Sequence, residues 1–340
     1  MWYNRYVWRK KSHFLHRKRR TKMNCKKIIT LATSCLLGVS MLTACTGQSK
    51  KVTFNDYWKI DSITKQDVTE ELEYTVTYEK QNGLANYELN YLNGKYTTKL
   101  TTEEYEGKTV YVYETKLEID VTYQLGGEIT QPLHDVVTSK VRFQQSSGAL
   151  RPIDSHKEVI SHSPVNSTNV TTLDGCYTLN EYTSDIDYVN MKSVLQFKGD
   201  AEETINQKVT LNKDYTVLDN EQLLFAIRGL SQTDVSTPTF SVYSPYVNSA
   251  QKVKVSFGSE TGEDFNLIQN GIAGKHTVQY YPVSIVLNEK NSGQTQTAWV
   301  AKTTDASNNK YRNVVLRHST PLSYGLGSLV YQLISTNYSA

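Results

Sequence analysis

The chain has 340 residues, with 37 Lys and Arg against 34 Asp and Glu and a formal net charge of +3. That near-balance hides a division: residues 1–44 hold eleven Lys or Arg and no acid, which leaves 26 basic and 34 acidic residues in 45–340, a net charge of −8. A body of that sign excludes nucleic acid, whose recognition needs a basic footprint, and it excludes a polybasic membrane patch.

In chain order, residues 1–22 carry nine of those basic residues and run into Arg19-Arg20-Thr21-Lys22-Met23. Arginine codons of the AGG type would read as a ribosome-binding sequence two codons ahead of Met23. Residues 1–22 are therefore expected to be an over-extended start or a basic leader. From Met23 the pattern changes. Lys26 and Lys27 precede an uncharged apolar run, Ile28 to Ala44, and small residues close it, the layout of a secretory signal. The close, Leu42-Thr43-Ala44-Cys45, resembles the lipobox of bacterial lipoproteins. The resemblance implies that 23–44 is a cleaved signal peptide and that Cys45 becomes a lipidated N-terminus. It also implies that the partner at this end is a membrane, held through acyl chains rather than a span. The expected location is extracytoplasmic, lipid-anchored to the bacterial cell membrane. No second apolar run reaches the ~18 residues that a spanning helix needs.

Residues 45–55 read as a lipidated tether and 56–340 as a single β domain. Tyr is the most informative residue type, 24 in all, and Tyr- and Thr-rich segments favour sheet. Leu72, Tyr74, Val76 and Tyr78 alternate with polar residues, a period-2 strand. "YELNYLNGKYTTKL" reads as a hairpin turning at Asn93-Gly94. The longest strand signal places Tyr111, Tyr113, Thr115, Leu117, Ile119, Val121, Tyr123 and Leu125 on one face, and Gly126-Gly127 ends it. Strands follow at 136–143, in the return after "SSGALRP", and at 176–182, 193–197 and 208–211. One helix, "LDNEQLLFAIRGL", interrupts them. Asp219 or Asn220 caps it, Leu223, Leu224 and Ile227 form its apolar stripe, and Gly229 stops it. Strands resume at 239–243, 252–257, 276–287, 297–302, 311–317 and 328–334. The fold class expected is mainly β: a large curved antiparallel sheet or half-open β-barrel with one crossover helix.

Three stretches, "HDVVTSKVRFQQSSGALRPIDSHKEV", "LDNEQLLFAIRGL" and "GIAGKHTVQYYPVSIVL" with the closing "GSLVYQLIS", resemble in that order an uncharacterised family of bacterial envelope proteins with curved, half-open β-barrel domains. The resemblance spans roughly residues 70–335. It implies a shape related to periplasmic lipid carriers and no assigned activity.

Chemistry is sparse. Cys176 is the one cysteine beyond Cys45, so neither a disulfide framework nor a cysteine metal site is expected. His134, His156, His162, His276 and His318 fall in no metal-ligand spacing, and no cofactor is expected. Glu103-Glu104 and Glu202-Glu203 point to opposite faces as neighbours on strands. No nucleophile motif is present, and the chain is not expected to be an enzyme. Arg228, late on the helix, reads either as a salt bridge or as a polar group at the barrel mouth that fixes the head of an amphipathic ligand. Tyr111, Tyr113 and Tyr123 read as core with hydroxyls toward the rim, or as an aromatic platform. The function expected is a non-enzymatic binding module for a lipid or other apolar or amphipathic ligand, or for an envelope partner. The alternatives are a carbohydrate- or cell-wall-binding surface lipoprotein and an enzyme with an unrecognised site.

Overall fold

The computed structural model describes residues 52–56, 58, 69–81, 85–165, 167–198, 202–211, 215–232, 237–287, 295–302 and 312–339. The expected leader (1–22), the expected signal segment (23–44) and Cys45 lie outside them. The strands are β1 (Thr69–Lys80), β2 (Glu88–Tyr105), β3 (Lys108–Leu125), β4 (Glu128–Ile129), β5 (Leu133–Ser146), β6 (Ala149–Pro164), β7 (Tyr177–Asp187), β8 (Lys192–Phe197) and β9 (Glu203–Lys208). After these come β10 (Val217–Asp219), the helix α1 (Leu223–Ile227), β11 (Thr239–Ser244), β12 (Ser249–Phe257), β13 (Thr261–Gln269), β14 (Ile272–Leu287), β15 (Gln296–Ala301), β16 (Val315–Pro321) and β17 (Gly327–Ser339).

All seventeen strands belong to one sheet. From β9 it runs through β8, β7, β6, β5, β3, β2 and β1 to β17, then through β16, β15, β14 and β12 to β11 and β10. Pairing is antiparallel except at two places. β10 and β11 are parallel, which requires the crossover that α1 supplies. β13 pairs antiparallel with β14 and reaches β17 through a short parallel register, Ile268 opposite Ser335, so that β13 to β17 close a ring. The remaining sheet curls until β10 and α1 face β6 across the open side. Ser155 Oγ there donates to Asp219 Oδ2 at 2.6 Å, and Lys157 Nζ lies 2.6 Å from Glu221 Oε1. The curved sheet with one crossover helix is thus what the alternation implied.

Local details differ from the sequence reading, each for a physical reason. Asn93-Gly94 is not a turn. β2 runs straight through it, and the register with β3 shifts between Leu92 and Lys95. Asn93 adopts φ 54° and donates to Asp120, so the pair forms a bulge that sharpens local twist. Gly94 is needed there because a Cβ would lie 2.4 Å from the Val76 carbonyl oxygen of β1. β2 turns instead at Glu106-Gly107, at φ 49° and 71° between the paired Tyr105 and Lys108, and Ser147-Gly148, at φ 50° and 75°, turns β5 into β6 in the same way, as two-residue hairpins demand. β9 lies at Glu203–Lys208 rather than 208–211. β13 went unread because only Phe265 and Leu267 of its residues are buried.

The helical segment is shorter than its pattern. Leu218 and Asp219 belong to β10, a 3-10 turn covers Asn220–Gln222, and α1 keeps five residues. Asp219 caps it by accepting from Glu221 N–H at 2.8 Å, while Gln222 Oε1 accepts from Asp219 N–H at 3.1 Å. Leu223, Phe225, Ala226 and Ile227 are all buried, so α1 is apolar nearly all round and acts as a plug. Gly229 is not a left-handed cap. A Cβ there would lie 2.8 Å from the Asn55 carbonyl oxygen and 2.9 Å from Trp58, because the entry segment docks on it through Asn55 N–H to Gly229 O at 2.6 Å. Phe54 in that segment is buried beside Phe240, so the apolar core includes a residue before 56. Gly229→Ala is expected to lower unfolding free energy by about 1–3 kcal/mol through overpacking, measured by urea denaturation. A change within error would show that the entry segment yields freely.

Candidate functional site

Two large apolar clusters, with two smaller ones beside them, make up the core. One gathers Leu72, Tyr91, Ile119, Val121, Tyr123 and Leu329. The other surrounds α1 and includes Phe54, Trp58, Phe143, Phe225 and Val255. On β2 and β3 a single inward position lies between them, and it is polar. Thr98 separates Tyr96 from Leu100, and Thr115 separates Leu117 from Tyr113. The register continues this rung across the sheet: Thr98 opposite Thr115, Thr115 opposite Ser139, Ser139 opposite Lys157, Lys157 opposite Ser184. Thr115 and Ser139 share a hydrogen bond of 2.7 Å. Glu221, just before α1, meets Lys157 from inside. Burial pushes the Glu221 carboxyl up, and Lys157 more than reverses this, holding it below its usual range.

The opposite wall brings Gln296, His318 and Thr320 to the same level. A cavity of about 90 Å³ lies between this wall, Tyr331, Lys157 and Glu221, and one of about 10 Å³ lies below it, lined by Tyr74, Tyr113, Arg228 and His318. The smaller holds about one water and the larger a few. His318 Nε2 is 3.0 Å from Gln296 Oε1, so a neutral ring with its hydrogen on Nε2 satisfies both groups. Burial pushes the His318 imidazolium down to about 3, too acidic for an efficient base near neutrality.

Beneath α1, Arg228 and Glu70 of β1 are each 2% exposed and form a bidentate pair at 2.6 and 2.8 Å. Arg228 therefore lies deep in the barrel and not at its mouth, and its charge is already matched. The tyrosines form no platform: Tyr113 is 4% and Tyr123 0% exposed. Tyr123 donates to the His162 carbonyl at 2.6 Å, and Tyr111 stacks on Phe143 at 5.4 Å. His156 and His162 have the same parity on β6 but serve different carboxylates, Asp185 and the buried Asp135. Cys176 is buried, and its thiol is raised by desolvation. Glu70 and His318 were invisible as site residues in the sequence. Their parity on a strand reads as inward or outward, but nothing local says what they meet.

The outer face of β1, β2, β3, β5, β6 and β7 carries a cross-strand charge ladder. Glu71, Lys99, Glu114, Lys140, His156 and Asp185 stand opposite one another in turn. Glu71–Lys99 is 3.0 Å, Lys140–Glu114 3.6 Å and His156–Asp185 2.7 Å. Opposite signs face each other from Glu71 to Lys140 and again at His156–Asp185, which favours the observed register; only Lys140 and His156 stand opposite without a sign change. A polar groove of about 510 Å³ opens on this face, lined by Glu71, Glu73, Thr97, Lys99, Glu114 and Lys116 among others.

No protein-family model matches the chain, and no curated protein matches it. Among solved structures it is similar to a β-barrel-like protein of domain of unknown function DUF1849 from Brucella abortus, with 12% sequence identity and a TM-score of 0.45 over 80% of this chain and 98% of that one.

Proposed function

We propose that the chain is a non-catalytic binding module of the bacterial envelope, tethered to the membrane through lipidated Cys45, that engages a polar envelope partner along the outer groove of β1, β2 and β3. The observation that carries this reading is the filled interior. Sites for small molecules span roughly 300–1,000 Å³, whereas the inner cavities here are about 90 and 10 Å³, and α1 occupies the space a lipid tail would need. The roomy concavity is instead outside, polar and charged on both signs. The non-enzymatic part rests on the inner polar groups: Thr115 and Ser139 bond to each other, Ser155 bonds to Asp219, and His318 is tuned away from proton transfer.

Two measurements test it together. Native mass spectrometry of the purified protein is expected to show no retained lipid. A photo-crosslinking side chain at Lys99 in intact cells is expected to give a discrete adduct, with none from Thr277 on β14. Lipid retained in the spectra and no adduct at Lys99 would return the function to an interior apolar ligand.

A further inference from the structure

We infer that the buried corner around Arg312 is a binding site for a small oxyanion, a carboxylate or a phosphate. Arg312 is 7% exposed, and its guanidinium stacks on the Tyr338 ring at 3.8 Å. Its Nη1 has no hydrogen-bond partner, and it forms no ion pair among the described residues. The carboxylate that acts on it, Glu70, gives both oxygens to Arg228. Arg228 in turn donates to the Arg312 carbonyl at 3.1 Å. Among the described residues the corner therefore holds two guanidinium groups against one carboxylate.

Three more polar atoms here lack partners: Arg228 Nε, Thr336 Oγ1 and Tyr338 OH. The two hydroxyls lie close enough for Thr336 to oppose the upward push of burial on the Tyr338 phenol, yet neither has a well-formed hydrogen bond. Desolvation pushes the Arg312 guanidinium below its usual pKa, with Tyr338 and Glu70 opposing. A buried cation without a counter-charge is costly, and each buried polar atom left unpaired calls for a reason. One oxyanion answers three of the four: it accepts from Arg312 and from the hydroxyls of Thr336 and Tyr338, and it neutralises the excess charge. Guanidinium suits this because its planar fork matches carboxylate and phosphate oxygens. The backbone is also committed to the arrangement. Arg312 and Asn313 both hold left-handed conformations, φ 45° and 53°, while Asn313 Nδ2 donates to the Arg228 carbonyl at 3.0 Å. This site lies apart from the outer groove and does not depend on it.

The test is thermal denaturation and calorimetry of the purified full chain titrated with sodium phosphate and with sodium acetate, at ionic strength held constant with chloride. A saturable rise in Tm with either anion is expected. Arg312→Gln is expected to weaken the apparent Kd about tenfold or more, the loss of a charged hydrogen-bond partner, and Arg312→Lys is expected to retain part of it. Should Arg312→Gln fail to fold, Tyr338→Phe keeps the ring and removes only the hydroxyl, and it must also weaken binding. Vesicles of phosphatidylcholine with and without phosphatidic acid separate the sources. Capture by phosphatidic acid that Arg312→Gln abolishes assigns a lipid headgroup, while a response to phosphate or acetate alone assigns a free anion. No response beyond chloride in any arm, or equal isotherms for the wild type and for whichever of Arg312→Gln and Tyr338→Phe is folded, overturns the proposal. Crosslinking at Lys99 is unaffected by either result.

Discussion

Glu70→Gln is expected to lower the unfolding free energy by about 3–5 kcal/mol, the cost of leaving a buried charge without its partner. The change removes the negative member of a pair in which both residues are 2% exposed. It leaves two guanidinium groups, Arg228 and Arg312, buried against each other. Arg228→Met is expected to cost less, because Arg312 already feels the Glu70 carboxylate and can turn to it. The double variant Glu70→Gln/Arg228→Met is expected to recover part of the single losses, since a matched apolar replacement of a buried pair is often neutral. Urea denaturation of the four proteins gives the coupling directly. A loss below about 1 kcal/mol for Glu70→Gln would mean that the pair is solvated in solution, contrary to its geometry.

The pH dependence of stability is expected to come from two buried groups of opposite sign. His318 is held down to about 3 by burial, against about 6.5 in an unfolded chain. Between those values the unfolded chain binds a proton that the folded one refuses. Its contribution is present above pH 6.5 and is lost as pH falls toward 3, about 2–3 kcal/mol by pH 4.5. Asp219 is raised to about 6 from 3.8, first by burial and then by Glu221, with Ser155, the Glu221 N–H and Tyr188 opposing. Here the folded chain keeps the proton, so its contribution is present below 3.8 and is lost as pH rises through 6. Lowering pH from 7 to 4.5 thus returns about 2 kcal/mol. The wild type should change little over that interval. His318→Gln should gain stability on acidification and Asp219→Asn should lose it. Parallel curves for all three proteins would refute the assignment.

Much of the wall was legible in the residues. The alternation from Tyr111 to Leu125 placed a long strand with its inward face correctly assigned, and Ser147-Gly148 and Gly126-Gly127 marked real turns. Asp219 was readable as a cap because its hydrogen bonds are local. Asn93-Gly94 was misread because a bulge and a hairpin want the same residues. What distinguishes them is β1, which packs Val76 against Gly94 and is remote from it in the chain.

The same boundary separates what the chain alone determined from what the tertiary structure decided. Period-2 patterning, turn chemistry and the charge division at residue 44 act within a few residues, so the sequence by itself determined a curved β domain of negative charge. The polar rung from Thr98 to Ser184, the Glu70–Arg228 pair across 158 residues and the unmatched charge of Arg312 exist only once curling brings distant strands to one level. Burial then turns ordinary side chains into costly ones, and only the partners supplied by the fold decide whether that cost is met within the chain or left for a ligand to meet.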